Sequence, residues 1–451
     1  MNRSWRNALA WILLASAISI FWGISVARAN SGWGAFKAVY YGSRCLLQHS
    51  DPYQEADFLS VYQAEGGVFP ANPADSRIFH RAVLLCINLP TSLFLIAPLA
   101  MLAWGPAHAL WLILMAASLI LAAFLMWNSA QNSAPGIALV LLCLLLANCE
   151  ILFEGGNLAG VAVSLCVVAV WCFLNDRFVI PGILCLAVSL AIKPHDAGFV
   201  WLYLLLAGGV FRKRALHSLL AVLLLGLPAM LWVTHVAPHW MPELLSNLSA
   251  TSARGDLSDP GPASLTMDGT SRLIDLQTVF SLLRDDPRFY NPASYLICGA
   301  LLLAWSVRTL RSHVSPRAAW LALAAIAPLT MLVSYHRSYD AKLLLLTIPA
   351  CAILSAEGGL IKWMAWLVTG AGIVLTADIP SAILNLLAGS LHAGGAGFRA
   401  KMMTVMLLRP APIILLVAGI FYLWVYLRGN TLPAAAIHAG GEADHDACAA
   451  R

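Results

Sequence analysis

Apolar runs separated by short polar links repeat along nearly the whole chain. The first covers residues 8–27, behind Arg3 and Arg6. A hydrocarbon core near 30 Å takes roughly 20 apolar residues per helix, so this run is long enough to cross a bilayer. It is also longer than the apolar core of a secretory leader. It therefore reads as a retained first span, although Ala27-Arg28-Ala29 resembles a cleavage site. Further runs lie at 82–102, 104–127, 136–153, 158–174, 178–210, 216–236, 293–307, 318–334, 341–356, 360–375 and 413–427. Strand-like alternation is missing, so the pattern predicts an all-α polytopic membrane protein, a bundle of about twelve transmembrane helices.

Two polar intervals break the rhythm, residues 28–81 and 237–292. Basic residues mark the cytoplasmic side of a membrane protein. Arg3 and Arg6, Arg212-Lys213-Arg214, and Arg308, Arg311 and Arg317 are the basic clusters, and counting spans from them places both long loops outside. The same count puts Glu150 and Glu154 on the cytoplasmic side and Asn175-Asp176-Arg177 outside. Residues 1–428 thus form one integral-membrane domain, and 429–451, rich in Ala, Gly, His and Asp, form a disordered cytoplasmic tail.

Composition agrees with this pattern. Of 451 residues, 60% are hydrophobic and only 11% charged, whereas soluble domains run near 45–50% and about 25%. Mean hydropathy is +0.78. A net charge of +5 gives no sign of nucleic-acid binding. Most of the ten cysteines are scattered through apolar runs without C-x-x-C spacing, as expected of small buried hydrophobes. Nothing in the sequence requires a metal or a cofactor.

An ion inside hydrocarbon is expensive unless it is paired or faces water, so it marks a functional position. Lys193 is such an ion, followed by Pro194, His195 and Asp196 in the middle of the run 178–210. A lysine there suits a phosphate in a water-filled cavity; a structural Lys193–Asp196 pair at i,i+3 is the other reading. A second cluster, Tyr335 to Lys342, gathers His336, Arg337 and Asp340 at a membrane border. It fits a head-group and sugar site, or simple interfacial anchoring. The stretch from Trp33 to Tyr53 supplies Tyr40, Tyr41, Arg44, His49 and Asp51 where the first span ends. Glu150 and Glu154 stand four apart before Gly155-Gly156-Asn157, a pattern that also fits a close helix–helix contact.

Taken in order, these residues resemble glycosyltransferase family 87. The stretch FKAVYYGSRCLLQHSDPY over 36–53 is similar to that family's first-loop motif. Asn88-Leu89-Pro90-Thr91 with Ala97-Pro98-Leu99 and Ala109-Leu110-Trp111, then Gly156-Asn157, then Lys193-Pro194 with Tyr203-Leu204-Leu205, follow its later segments. The likeness spans about residues 30–220, with a weaker echo at 335–345. It implies a GT-C bundle of the kind that includes polyprenyl-phosphate-mannose-dependent mannosyltransferases. Such an enzyme moves a hexose, mannose in the family's pattern, with inversion. It works at the outer face of the cytoplasmic membrane, from a polyprenyl-phosphate donor to a lipid or glycan acceptor of the cell envelope. The resemblance implies a first-loop aspartate as the base; with Ala35 at the family's position, Asp51, the first carboxylate after 36–47, is expected to serve in its place, with Asp340 second. Lys193, His195, Tyr40, Tyr41, Arg44, His336, Arg337 and Asn157 become substrate contacts. One departure stands out: Ala35 occupies the position where the family carries an aspartate. Two other readings stay open on the residues alone. Broken helices with central charges also mark secondary transporters, and Ala35 is compatible with a non-catalytic binder of lipid-linked glycans on the same fold.

Overall fold

A computed structural model describes residues 34–262, 264, 273–377 and 409–429, with isolated positions among residues 5–16 and at Ile383. Most of the expected first span and nearly all of the tail lie outside the described residues. Among those described, all regular structure is helical apart from one isolated bridge between Leu273 and Arg337. Six helices are long and apolar enough to cross a membrane: Trp104–Ala130, Gly209–Val236, Pro287–Arg311, Pro316–Val333, Ser338–Glu357 and Pro410–Arg428. Between them lie shorter apolar helices, Pro90–Ala100, Pro135–Ala147, Ala159–Leu174, Val179–Ile192 and Gly359–Leu375.

The bundle has two chemically different ends. At one, the long polar loops meet. Gln54 donates to Glu243 at 3.0 Å, and the Asn247 amide donates to the carbonyls of Tyr53 at 3.0 Å and Cys86 at 3.1 Å. Arg81 pairs with Asp256 at 3.0 Å, and Arg337 donates to the Leu257 carbonyl at 2.7 Å. The second loop, the first loop and the 335–340 turn therefore share this loop end. At the other, basic end, Arg317 pairs with Glu357 at 2.6 Å and Arg308 reaches the Tyr426 carbonyl at 3.3 Å.

Two apolar runs do not cross as the hydropathy pattern predicts. The run 82–102 becomes a π-turn, His80–Leu84, an irregular stretch, and the helix Pro90–Ala100. Eleven helical residues span only about 16 Å. Its far end stays at the loop end, where Tyr40 donates to the Leu102 carbonyl and Arg44 to the Ala100 carbonyl, both at 2.8 Å. The run 178–210 folds back on itself. Proline disfavours helix in the residue before it and lacks an N–H, so Lys193 turns to φ −141°, ψ 82°, ending Val179–Ile192 and starting Pro194–Ala207. The open ends of this hairpin meet: Arg214 pairs with Asp176 and donates to the Phe173 carbonyl at 2.7 Å. Asn175-Asp176-Arg177 therefore lies beside the basic cluster Arg212–Arg214, not opposite it.

These two corrections cancel before Arg212, which is why the span count fits the later basic clusters yet misplaces the residues between. Glu150 and Glu154 belong to the loop end. Phe36 donates its N–H to the Gly155 carbonyl at 3.1 Å, and the Trp111 indole donates to the Gly156 carbonyl at 2.7 Å. Gly156 sits at φ +55°, and a Cβ there would come within 2.9 Å of the Phe36 Cβ, so the approach requires glycine.

This arrangement predicts the outcome of accessibility labelling. Exposed cysteines introduced as Ser60→Cys and Ser252→Cys should react with a membrane-impermeant maleimide from one side. Arg177→Cys and Ala356→Cys should react only from the other. Labelling of position 177 from the same side as position 60 would break the hairpin assignment.

Candidate active site

The hairpin apex carries Lys193 into the loop end of the bundle, where the 335–340 turn meets it. The Lys193 ammonium lies 2.5 Å from Asp340 Oδ1 and 3.3 Å from Asp196 Oδ2. Both carboxylates are essentially inaccessible, at 0% and 1% exposure. Breaking such a buried pair costs about 3–5 kcal/mol, because the partner left behind stays charged. Asp340 is fully committed, since its Oδ2 also accepts the Arg337 backbone N–H at 2.8 Å, which starts the tight 3₁₀ turn Ser338–Leu346. Lys193 further sits over the Tyr339 ring, 5.2 Å from its centre.

Two histidines close the cluster. His336 Nε2 is 3.4 Å and His195 Nε2 3.9 Å from the same oxygen, Asp196 Oδ1. The two imidazoles meet edge to face at 5.0 Å. Arg337 is buried beside them, its guanidinium donating to the Tyr335 hydroxyl at 2.6 Å and to the Leu257 carbonyl. The helix Pro194–Ala207 begins here too, so its free N–H groups and positive end face the cluster. One lysine, one arginine, two imidazoles and a helix N-terminus thus converge on two carboxylates.

Of the residues singled out from the sequence, Lys193, His195, His336, Arg337 and Asp340 come together, and both readings of Lys193 are compatible, since it does pair with Asp196. The others build the neighbouring first-loop platform, Ala35–Leu47. Tyr40 is buried with its hydroxyl on the Leu102 carbonyl, Tyr41 packs edge-on against Tyr62 at 4.8 Å, and Arg44 pairs with Glu65. Asn157 caps the helix Ala159–Leu174, its Oδ1 accepting the Ala159 N–H at 2.9 Å. Sequence reasoning undervalued Asp196, whose i+3 spacing from Lys193 was visible. It also set aside Glu154, which is half-buried and adjoins the Gly155 carbonyl that binds the start of the platform.

Asp51 lies at the far end of the platform. Its Oδ1 accepts the Tyr53 N–H at 2.8 Å, and its own N–H donates to Asp57 at 3.0 Å. Burial pushes its carboxyl up to about 6, helped by the neighbouring Glu243 and opposed by the Tyr53 N–H. The segment 88–92 touches both this region and the hairpin apex. The Tyr53 hydroxyl donates to the Asn88 carbonyl at 2.9 Å, and four residues on Ser92 donates to the Ile192 carbonyl at 3.1 Å.

Compared with known proteins, the chain matches the model of glycosyltransferase family 87 over residues 87–335, more than half its length. That match takes in the hairpin apex and ends at Tyr335, while the first-loop motif at 36–53 lies before it. No curated protein and no solved structure matches the chain. With a helical bundle of membrane-crossing length, a recessed cluster of charge at its loop end and this match across its centre, the chain belongs to glycosyltransferase family 87 and is a membrane glycosyltransferase.

Proposed function

We propose that the protein moves a hexose, mannose by the family's pattern, from a polyprenyl-phosphate donor to a lipid or glycan acceptor, with inversion, at the outer face of the cytoplasmic membrane. The observation that carries this reading is the partly buried Lys193, held at a helix break beside Arg337, His195, His336 and the N-terminus of Pro194–Ala207. Hydrogen-bond donors fixed in a site that excludes water stabilise charge as it develops, and enzymes commonly draw more rate enhancement from this than from any other effect. The charge here is that of the departing lipid phosphate. Lys193 and the first turn of its helix hold that phosphate, His195, His336 and Arg337 line its place, and Asp196 and Asp340 keep the ammonium in place.

The acceptor hydroxyl loses its proton to a carboxylate on the opposite side of the anomeric carbon. Asp51 is the proposed base. Its elevated pKa makes it a stronger proton acceptor than an ordinary aspartate, and such help is typically worth about 10²–10⁴-fold. Asp340, with both oxygens engaged, serves as the counter-ion of Lys193. The recessed charge and the meeting of both long loops at one end favour surface chemistry over transport.

Two experiments test this assignment. Because Asp51 binds its proton more tightly when folded than the ordinary 3.8, the fold loses stability as pH rises from about 4 to about 6, and the base becomes active above that range. The rate of transfer by purified protein in lipid should therefore fall below pH 6, and Asp51→Asn should abolish both the rate and this limb. Asp275, buried and also raised to about 6, is the control: Asp275→Asn should keep the limb. Full activity in Asp51→Asn with loss in Glu154→Gln would move the base to the other end of the platform.

Lys193→Ala should cost about 3–5 kcal/mol of stability along with transfer. Adding Asp340→Asn should restore much of the melting temperature but none of the transfer. A stabilised double variant that transfers normally would remove Lys193 from phosphate binding.

A further inference from the structure

The buried cluster contains three atoms that point at one another with nothing between them. His195 Nε2, Asp196 Oδ1 and His336 Nε2 are each buried without a hydrogen-bond partner. One ring nitrogen from each histidine and one Asp196 carboxylate oxygen lie within 4.8 Å of one another. Buried polar atoms are nearly always satisfied, so three that converge call for a common partner.

The tautomer of His336 sharpens the point. Its Nδ1 lies 2.9 Å from the Ser334 carbonyl. A carbonyl only accepts, so Nδ1 carries the hydrogen, and the neutral ring turns the lone pair of Nε2 toward Asp196 Oδ1. Lone pair faces carboxylate oxygen at 3.4 Å, and His195 Nε2 approaches the same oxygen at 3.9 Å. A proton on His336 Nε2 relieves that pair alone and leaves His195 Nε2 unmatched, whereas one cation at the centre serves all three atoms. A backbone carbonyl on the far nitrogen is also the usual way in which proteins orient a metal-binding histidine.

We propose that His195, Asp196 and His336 form a binding site for one divalent first-row transition metal of the zinc class. Two imidazole nitrogens and one carboxylate oxygen make a three-ligand set that leaves coordination positions open, as in catalytic rather than structural zinc sites. Bonds of about 2.0–2.2 Å set tetrahedral ligands about 3.3–3.5 Å apart. Asp196 and His336 already meet this spacing. His195, more than a third exposed, closes the remainder by a small swing of its ring. Lys193 does not block the site, because it approaches the other Asp196 oxygen and has its own counter-ion in Asp340. Hard cations such as Mg²⁺ favour oxygen-rich shells and fit poorly here. The site adjoins Lys193, the place assigned above to the donor phosphate. A role for the metal there rests on that reading; the binding site itself does not.

The test reads metal content without turnover. Full-length protein in lipid nanodiscs is stripped with a chelator, incubated with Zn²⁺ or with Mg²⁺, and passed through gel filtration before elemental analysis. The expected result is one zinc per chain above the background of the variants, and no magnesium. His195→Ala, at the most exposed ligand, and His336→Gln should each weaken zinc binding about tenfold or more. Co²⁺ bound to the parent should show visible absorption that both variants lose. The tail residues His438 and His445 are present in every sample, so they cancel in the difference. Equal zinc in the parent and a folded His195→Ala variant, or none in the parent, would overturn the site. An intact site in a protein that fails to transfer hexose would leave the metal standing and count against the proposed reaction.

Discussion

A single ammonium shared between two buried carboxylates fixes the geometry of the loop end. Lys193 comes from the hairpin 179–207, Asp196 from the next turn of the same hairpin, and Asp340 from a distant segment of the chain. No member can be removed without leaving its partners charged in a poorly polarisable medium, so the three hold one another in register. The constraint spreads outward. Asp340 also accepts the Arg337 N–H and so sets the start of the 3₁₀ turn. Arg337 in turn grips the Leu257 carbonyl, which brings the second loop down over the apex.

The first-loop helix contributes differently. Ala35–Leu47 brings few of its polar groups to the cluster; it is a packed aromatic plate. Phe36 stacks on Trp111 at 5.1 Å and an interplanar angle of 6°, while Tyr40 and Tyr41 meet edge to face at 5.0 Å. The plate is fastened at its start by Gly155 and along its length by Leu102 and Ala100. Three separate parts of the sequence therefore converge on one rigid surface next to the charged apex, and carboxylates stand at both of its ends, Glu154 and Asp51.

Much of this was legible in the sequence. Hydropathy alone gives a helical membrane protein, and the cost of placing Lys193, Arg337 and Asp340 among apolar residues singles them out before any coordinates. What the pattern could not distinguish was a crossing from a fold-back, because a half-helix buried in protein is as apolar as one facing lipid. The run 178–210 is continuous in composition, and only Lys193-Pro194 hints that it doubles back. Tyr40, Tyr41, Arg44 and Asn157 carry polar groups that in the fold satisfy backbone or neighbouring side chains, and nothing local separates that task from ligand contact. Convergence of His195 and His336 from distant parts of the chain is a tertiary fact, invisible to spacing rules built on neighbouring ligands.

The short arms of the hairpin have a consequence for whatever approaches Lys193. Fourteen helical residues rise about 21 Å, against a hydrocarbon slab near 30 Å, and the hairpin's open end is pinned at the basic end by Asp176 and Arg214. A hairpin with arms of that length, entering from one face of such a slab, ends roughly 10 Å short of the other. A lipid-phosphate donor of the kind proposed would have to draw its phosphate down below its neighbours to reach Lys193, and its hydrocarbon would bend sharply just behind the head. On that reading, pliancy of the first few units of the lipid chain would count in selection as much as the identity of any sugar.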